Sequence, residues 1–181
     1  MAERNVIILD LDNCIANDAW RIPLIDWKKT GDARYHVYHS CAYYDENDLE
    51  WVGRLIWNLR DKDEPLRLFV LTARPSMYRE LTLKWLDDHL GVVRVAGEPL
   101  KCEGLLMRNP GDDRHSAAVK SSQLDDLVNH WGIDSWEQVL FAADDRADVL
   151  EMYRERGINT VISHSIHSVC AYTPPEIGRA S

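Results

Sequence analysis

At 181 residues, 45% hydrophobic and 28% charged, the chain has the length and composition of one globular domain with a real core. Its net charge of −9 argues against a nonspecific binder that tracks nucleic-acid phosphates, which would be basic, while leaving room for a local basic pocket. The four cysteines (Cys14, Cys41, Cys102, Cys170) stand far apart without CxxC or metal-type spacing, as free thiols in a reducing compartment do. No signal peptide or membrane-length apolar run is visible, so a cytoplasmic protein is expected.

The first element is Val6–Leu9 in "NVIILDLDNC", a buried-strand run that ends in two aspartates one residue apart. Two unpaired buried carboxylates are costly, so a positive group must sit beside them or the pair must do chemistry. Residues 15–45 follow, rich in Trp, Tyr and His and without a clean period. They are placed as a small insertion, or cap, over the carboxyl edge of a sheet. Its aromatics Trp20, Trp27, Tyr35, Tyr38, Tyr43 and Tyr44 suit either stacking on a base or a small core of the insertion itself. His36, His39 and Cys41 do not have a standard metal spacing and read as cap packing.

A helix is expected over about 46–60, with Leu49, Val52, Leu55, Ile56 and Leu59 at helical spacing, then a strand at Leu66–Leu71 in "PLRLFVLTAR". A second helix covers about 76–90, carrying Tyr78, Leu81, Trp85 and Leu86, with Gly91 as its stop. A short strand lies around Leu105–Met107 and a third helix over about 115–131, with Leu124, Leu127, Val128 and Trp131 as its inward stripe. Lys120 falls on that face, either aimed at an anion or snorkelling to solvent. A strand at Val139–Ala142, a helix over about 146–156 ended by Gly157, and a strand at Thr160–Ile162 complete the order. The βαβα alternation favours a parallel sheet with helices on both faces, built as one domain over 1–165 with a loose tail at 166–181.

Function in such a sheet gathers at the carboxyl ends of the strands. There the first strand places Asp10 and Asp12, the second Thr72 and Arg74, and the fourth Asp144 and Asp145. Four carboxylates on one rim call for a cation, and hard oxygen ligands favour Mg²⁺. With Lys120, these are the parts of phosphoryl transfer to an aspartate: nucleophile, proton donor, metal ligands, and a hydroxyl and a lysine on the phosphoryl oxygens. Taken singly, Asp144 and Asp145 also suit a helix N-cap, and Arg21 and Arg74 suit either phosphate binding or pairing with the carboxylates.

"DLDNC", "LTAR", Lys120 and "ADDR", in that order, resemble the four motifs of the haloacid dehalogenase (HAD) superfamily. "LDLDNCIA", Arg21, "LLMRNPGDDRHSAAVK" and "ADDRADVLEMYRERGI" make the chain similar to the phosphatase domain of the bacteriophage polynucleotide kinase–phosphatases from about residue 5 to 163. The resemblance implies a HAD-type, Rossmann-like α/β fold and a Mg²⁺-dependent phosphomonoester hydrolase. It implies Asp10 as the nucleophile, and Asp12 as general acid/base and, through its backbone carbonyl, metal ligand. Thr72 and Lys120 would hold the phosphoryl group, and Asp144 and Asp145 the metal. Arg21, Arg74, Asp112 and Arg114 would assist the substrate. Asn13-Cys14 replaces the family's usual Gly-Thr, and Asn tolerates the positive φ such a turn requires.

The relatives imply removal of 3′-phosphates from nucleic-acid ends. With no GxxxxGK[ST] here, any kinase partner is expected on a separate chain. A 5′-(deoxy)nucleoside monophosphatase is the alternative, and the sequence is compatible with a homo-oligomer. A receiver domain, which is not an enzyme, would carry its phospho-acceptor on the third strand, where this chain has Met107 and Arg108 and no aspartate.

Overall fold

The computed structural model of the chain describes residues 4–59, 65–95 and 97–163. In chain order, β1 (Val6–Leu9) leads to a short β2 (Ala16–Asn17), the small helices α1 (Gly31–Arg34) and α2 (His36–Ser40), and β3 (Glu46–Asn47). Then come α3 (Glu50–Leu59), β4 (Arg67–Pro75), α4 (Arg79–Leu90), β5 (Arg94–Val95), β6 (Glu98–Pro99) and β7 (Cys102–Arg108). The elements α5 (Ser116–Trp131), β8 (Val139–Asp144), α6 (Ala147–Glu155) and β9 (Thr160–Ile162) complete the fold.

The main sheet has the order β7-β4-β1-β8-β9, and every pairing is parallel. The apolar run of β1 has no polar alternation because both of its faces are covered. Ile7 and Leu9 pack with Val52 and Ile56 of α3 and Trp85 and Leu86 of α4. Val6 and Ile8 face the other way, onto Leu124 and Leu127 of α5 and Val149, Leu150 and Tyr153 of α6. The chain builds outward from β1 through β4 to β7, then crosses back to β8 and β9. The reversal therefore lies beside β1, where the crevice of a doubly wound sheet opens.

The expected strands and main helices form, with corrected edges. The helix expected from residue 46 starts at Glu50, because Glu46–Asn47 pair with Ala16–Asn17 as an antiparallel clasp. That clasp closes the base of the excursion expected at 15–45. Two faces differ from the apolar spacing: Leu59 on α3 and Val128 on α5 are exposed. On α5 the buried stripe is Val119, Lys120, Gln123, Leu124 and Leu127, so two polar side chains occupy positions that an apolar count assigns elsewhere. Gly91 ends α4 with an ordinary φ of −61°, whereas Gly132 and Gly157 adopt φ of +65° and +77° after α5 and α6.

Cys14, Cys41 and Cys102 are free thiols. Cys170 and the tail expected at 166–181 lie outside the described residues. Among the described residues no helix is long and apolar enough to cross a membrane.

Candidate active site

Three parallel strands end on one rim, and the turn after β1 shapes its centre. The backbone N–H groups of Cys14, Ile15 and Ala16 all donate to the Leu11 carbonyl, which folds the chain back on itself within a few residues. Asn13 takes the positive φ that this turn requires, +57°. Its side-chain amide donates to Asp145 Oδ2 at 2.8 Å, tying the β1 turn to the β8 turn. Cys14, where a hydroxyl was expected, is 1% exposed within the apolar core, and burial pushes its thiol up. The position serves packing.

Lys120 does not snorkel. It is 1% exposed, and its ammonium lies 2.6 Å from Asp10 Oδ1 and 2.5 Å from Asp144 Oδ2. Burial alone would lower its pKa, but the two carboxylates outweigh burial and hold it well above the ordinary lysine range. Asp10 is pushed well above the usual carboxylate range, by burial first and then by Asp144 and Asp145, with Lys120 opposing. Asp145 is raised by burial as well. Asp144 also accepts the Arg146 backbone N–H at 3.0 Å, at the start of α6.

Carboxylate oxygens of Asp10, Asp144 and Asp145 lie within 4.8 Å of one another, the one such cluster among the described residues. Buried Asp10 and Asp144 share the single ammonium of Lys120, and half-buried Asp145 beside them takes the neutral Asn13 amide, so the group remains electron-rich. Its all-oxygen donor set fits a hard divalent cation that supplies the missing positive charge. The side chain of Asp12 is not part of that cluster.

Asp12 is held on the opposite side by two guanidinium groups. Arg74 Nη2 donates to Asp12 Oδ1 at 2.5 Å and Arg21 Nη2 to the same oxygen. Burial opposes ionisation of Asp12, yet Arg74 and Arg21 together hold its carboxyl far below the usual range. Both arginines are pinned from behind. Arg21 is 0% exposed and makes a two-pronged pair with Asp45 at 2.7 and 2.6 Å, while Arg74 donates to Thr82 Oγ1 at 3.0 Å. Of the two readings open for these arginines, the structure displays pairing with a carboxylate. Thr72 is buried beside them. Its Oγ1 accepts the Arg74 backbone N–H at 3.1 Å, and Gln123 of α5 donates to its carbonyl at 3.0 Å.

These groups floor a cavity of about 280 Å³ lined by Asp10, Asp12, Thr72, Arg74, Lys120 and Asp145. The cap and the β7–α5 connection supply the rest of the wall, including Asp18, Tyr35, Tyr38, His39, Arg108 and Ser116. Asp112 and Arg114, expected to assist the substrate, pair with each other instead and do not line the cavity. The Nε of Arg114 donates to Asp112 Oδ1 at 2.9 Å. Arg108, from the end of β7, occupies the wall there, braced by Asp32 at 3.0 Å. Of the cap aromatics, Tyr35 and Tyr38 reach the cavity, whereas Trp20, Trp27 and Tyr44 face outward.

Asp18, Asp45 and Thr82 carried no signal in the sequence, and His39 and Arg108, there read as cap packing and as a strand end without an aspartate, line the cavity. Asp18, His39 and Asp45 lie in the cap, where the sequence carries no period, whereas Thr82 lies on α4 and Arg108 at the end of β7.

Residues 4–164 match the family described as the polynucleotide kinase PNKP phosphatase domain. No curated protein matches the sequence significantly. Among solved structures, a chain of the Pnkp1/Rnl/Hen1 RNA repair complex is similar with a TM-score of 0.58 and 21% identity. That match covers 88% of this chain and 42% of the other. A chain from a second Pnkp1/Rnl/Hen1 complex gives 0.57 and 20%, over 90% and 46%. This chain therefore spans less than half the length of those relatives. A haloacid dehalogenase-like hydrolase, SP0104 of Streptococcus pneumoniae, shares the fold with a TM-score of 0.54 at 15% identity, over 87% and 83%. The family match over 4–164 and the HAD-like parallel sheet together identify the chain as a member of the PNKP phosphatase-domain family, a HAD-type phosphatase.

Proposed function

We propose that the protein is a Mg²⁺-dependent phosphomonoesterase that removes 3′-phosphates from nucleic-acid ends through a phosphoryl group carried on Asp10. The observation that carries this reading is the division of labour on either side of the β1 turn. Asp10 sits among acids and an ammonium, and Asp12, two residues on, sits among guanidiniums.

Asp10 attacks phosphorus, forming the Asp10–phosphorus bond as the bond to the leaving alcohol breaks. Lys120 stabilises the charge on the phosphoryl oxygens and keeps Asp10 oriented. Thr72, one residue before Ala73 on the cavity wall, offers a hydroxyl to the same oxygens. Asp12 delivers the proton to the leaving oxygen and takes one back from the water that later attacks phosphorus, releasing inorganic phosphate and freeing Asp10. In the resting site its two arginines favour the ionised form. A phosphate dianion beside Arg74 shares its positive charge and so raises the proton affinity of Asp12 when the proton is needed. Asp10, Asp144 and Asp145 would hold Mg²⁺, which when bound supplies positive charge that favours the ionised nucleophile and the crowded phosphoryl oxygens.

The cavity volume lies near the low end for small-ligand sites, which suits one terminal nucleotide entering end-on. A nucleic-acid substrate is supported by the match to a polynucleotide kinase PNKP phosphatase-domain family and by similar Pnkp1 chains from an RNA repair complex, and the 3′ end is what the sequence resemblance implies. A kinase partner, on this reading, is another domain or chain.

The test is phosphate release with Mg²⁺ on a 3′-phosphorylated oligonucleotide beside a panel of 3′- and 5′-mononucleotides, with Asp10→Asn as the blank. Preference for the oligonucleotide 3′ end is expected. Preference for 5′-mononucleotides would replace this reading with that of a nucleotide-pool enzyme.

A further inference from the structure

Asp18 stands on the cap side of the cavity, 5% exposed, with one half of its carboxylate unused. Tyr38 donates its hydroxyl to Oδ2, whereas Oδ1 is buried and has no hydrogen-bond partner among the described residues. A buried carboxylate oxygen without a donor is expensive, and such an atom in a cavity wall marks a group that a ligand supplies.

The position narrows what that group is. Asp12 marks where the leaving oxygen lies. Arg21 bonds Asp12, the Tyr38 ring covers the Arg21 guanidinium at 4.0 Å, and Tyr38 bonds Asp18. Asp18 is thus linked to Asp12 through Arg21 and Tyr38, in the wall of the same cavity. The Asp18 carboxylate cannot welcome a phosphate, because it lies close enough to Asp12 for the two negative charges to interact. Positive charge is already at hand, since the buried Arg21 guanidinium lies close enough to act on the Asp18 carboxylate. The remaining complement is a neutral donor on the leaving alcohol.

The neighbouring wall has the same character. His39 is 6% exposed, lies against the rings of Tyr38 and Tyr78, and its Nδ1 also lacks a partner. Burial lowers its pKa to about 3, so the imidazole is neutral and offers polarity without charge.

We propose that Asp18 Oδ1 accepts a hydrogen bond from the hydroxyl vicinal to the scissile phosphoester, so that the enzyme prefers 3′-phosphates on ribonucleotide ends to those on deoxyribonucleotide ends. This rests on the 3′-phosphatase reading and adds to it a residue that selects the sugar. A site built around a substrate hydroxyl discriminates against analogues lacking it, because its own buried acceptor is then left unpaired. The contact is to an ionised oxygen, which puts the preference at about tenfold or more in kcat/KM.

The experiment compares three oligonucleotides of one sequence ending in a 3′-phosphate, with ribose, deoxyribose or 2′-O-methylribose at the last position. Wild type is expected to favour ribose over both others, since methylation removes the donor. Asp18→Ala is expected to bring the ribose-to-deoxyribose ratio near one. Each ratio is taken on one preparation, so partial loss of folded protein cancels. Equal rates on all three ends, or a 2′-O-methyl end as good as ribose, would overturn the inference while leaving the 3′-phosphatase reading intact. A ratio unchanged in Asp18→Ala would remove Asp18 as its source. Release from none of the three by wild type would overturn both readings.

Discussion

At the scale of the residue, the site is a study in how burial is compensated. Asp10 and Asp12 are two positions apart, yet their surroundings push their proton affinities in opposite directions, by crowding with acids in one case and by paired guanidiniums in the other. These two, with Thr72, Lys120, Asp144 and Asp145, were legible in the sequence, because each ends a recognisable strand or shares a helical face. Asp18 was not legible, since nothing local distinguishes it from a loop aspartate. Its folded pKa is raised to about 6, by burial first and then by Asp12. A raised carboxyl favours the folded state most below its ordinary value of 3.8, and that contribution is lost as pH rises through about 6. That rise corresponds to an upper bound of about 3 kcal/mol at neutral pH. Asp18→Asn, which stays neutral, should therefore raise the thermal midpoint over wild type at about pH 8 and lose most of that advantage near pH 4. An equal gain at both pH values would mean that the charge of Asp18 is not what folding resists.

At the scale of the element, α5 carries the least conventional piece of packing. An amphipathic helix normally buries an apolar stripe, and this one buries Lys120 and Gln123 within it, against Asp10, Asp144 and the Thr72 carbonyl. Apolar spacing located the helix to within a residue and still misassigned Val128 to its inner face, because periodicity counts hydrophobic positions and cannot see a polar partner on another strand. Lys120→Met tests the arrangement. Removing one member of a buried ion-paired group leaves the others uncompensated, at about 3–5 kcal/mol. The variant should melt well below wild type in a chelating buffer, and added MgCl₂ should raise its midpoint more than it raises that of wild type. A midpoint close to wild type, or one indifferent to Mg²⁺, would mean that the three carboxylates do not depend on a cation.

At the scale of the whole molecule, the parallel sheet does the assembling. Residues from position 10 to position 145 meet on one rim because β1 lies between β4 and β8 and all three run in the same direction. That much follows from the alternation of strands and helices in the sequence. The cap does not. Residues between the β2–β3 clasp fold into short helices and turns held by long-range pairs such as Arg21 with Asp45 and Trp85 with the Asp45 carbonyl. Such contacts leave no periodic trace, so which aromatics line the cavity could be learned only from the structure. Turnover in the site thus assembled requires that Asp10 become covalently phosphorylated. The most direct measurement is to mix enzyme with a 3′-phosphorylated oligonucleotide and Mg²⁺, quench in acid, reduce any acyl phosphate with borohydride, and map the modified peptide by mass. Reduction is expected at Asp10 and not in Asp10→Asn. Turnover with no modification at Asp10, or with modification at another carboxylate, would remove Asp10 as the nucleophile.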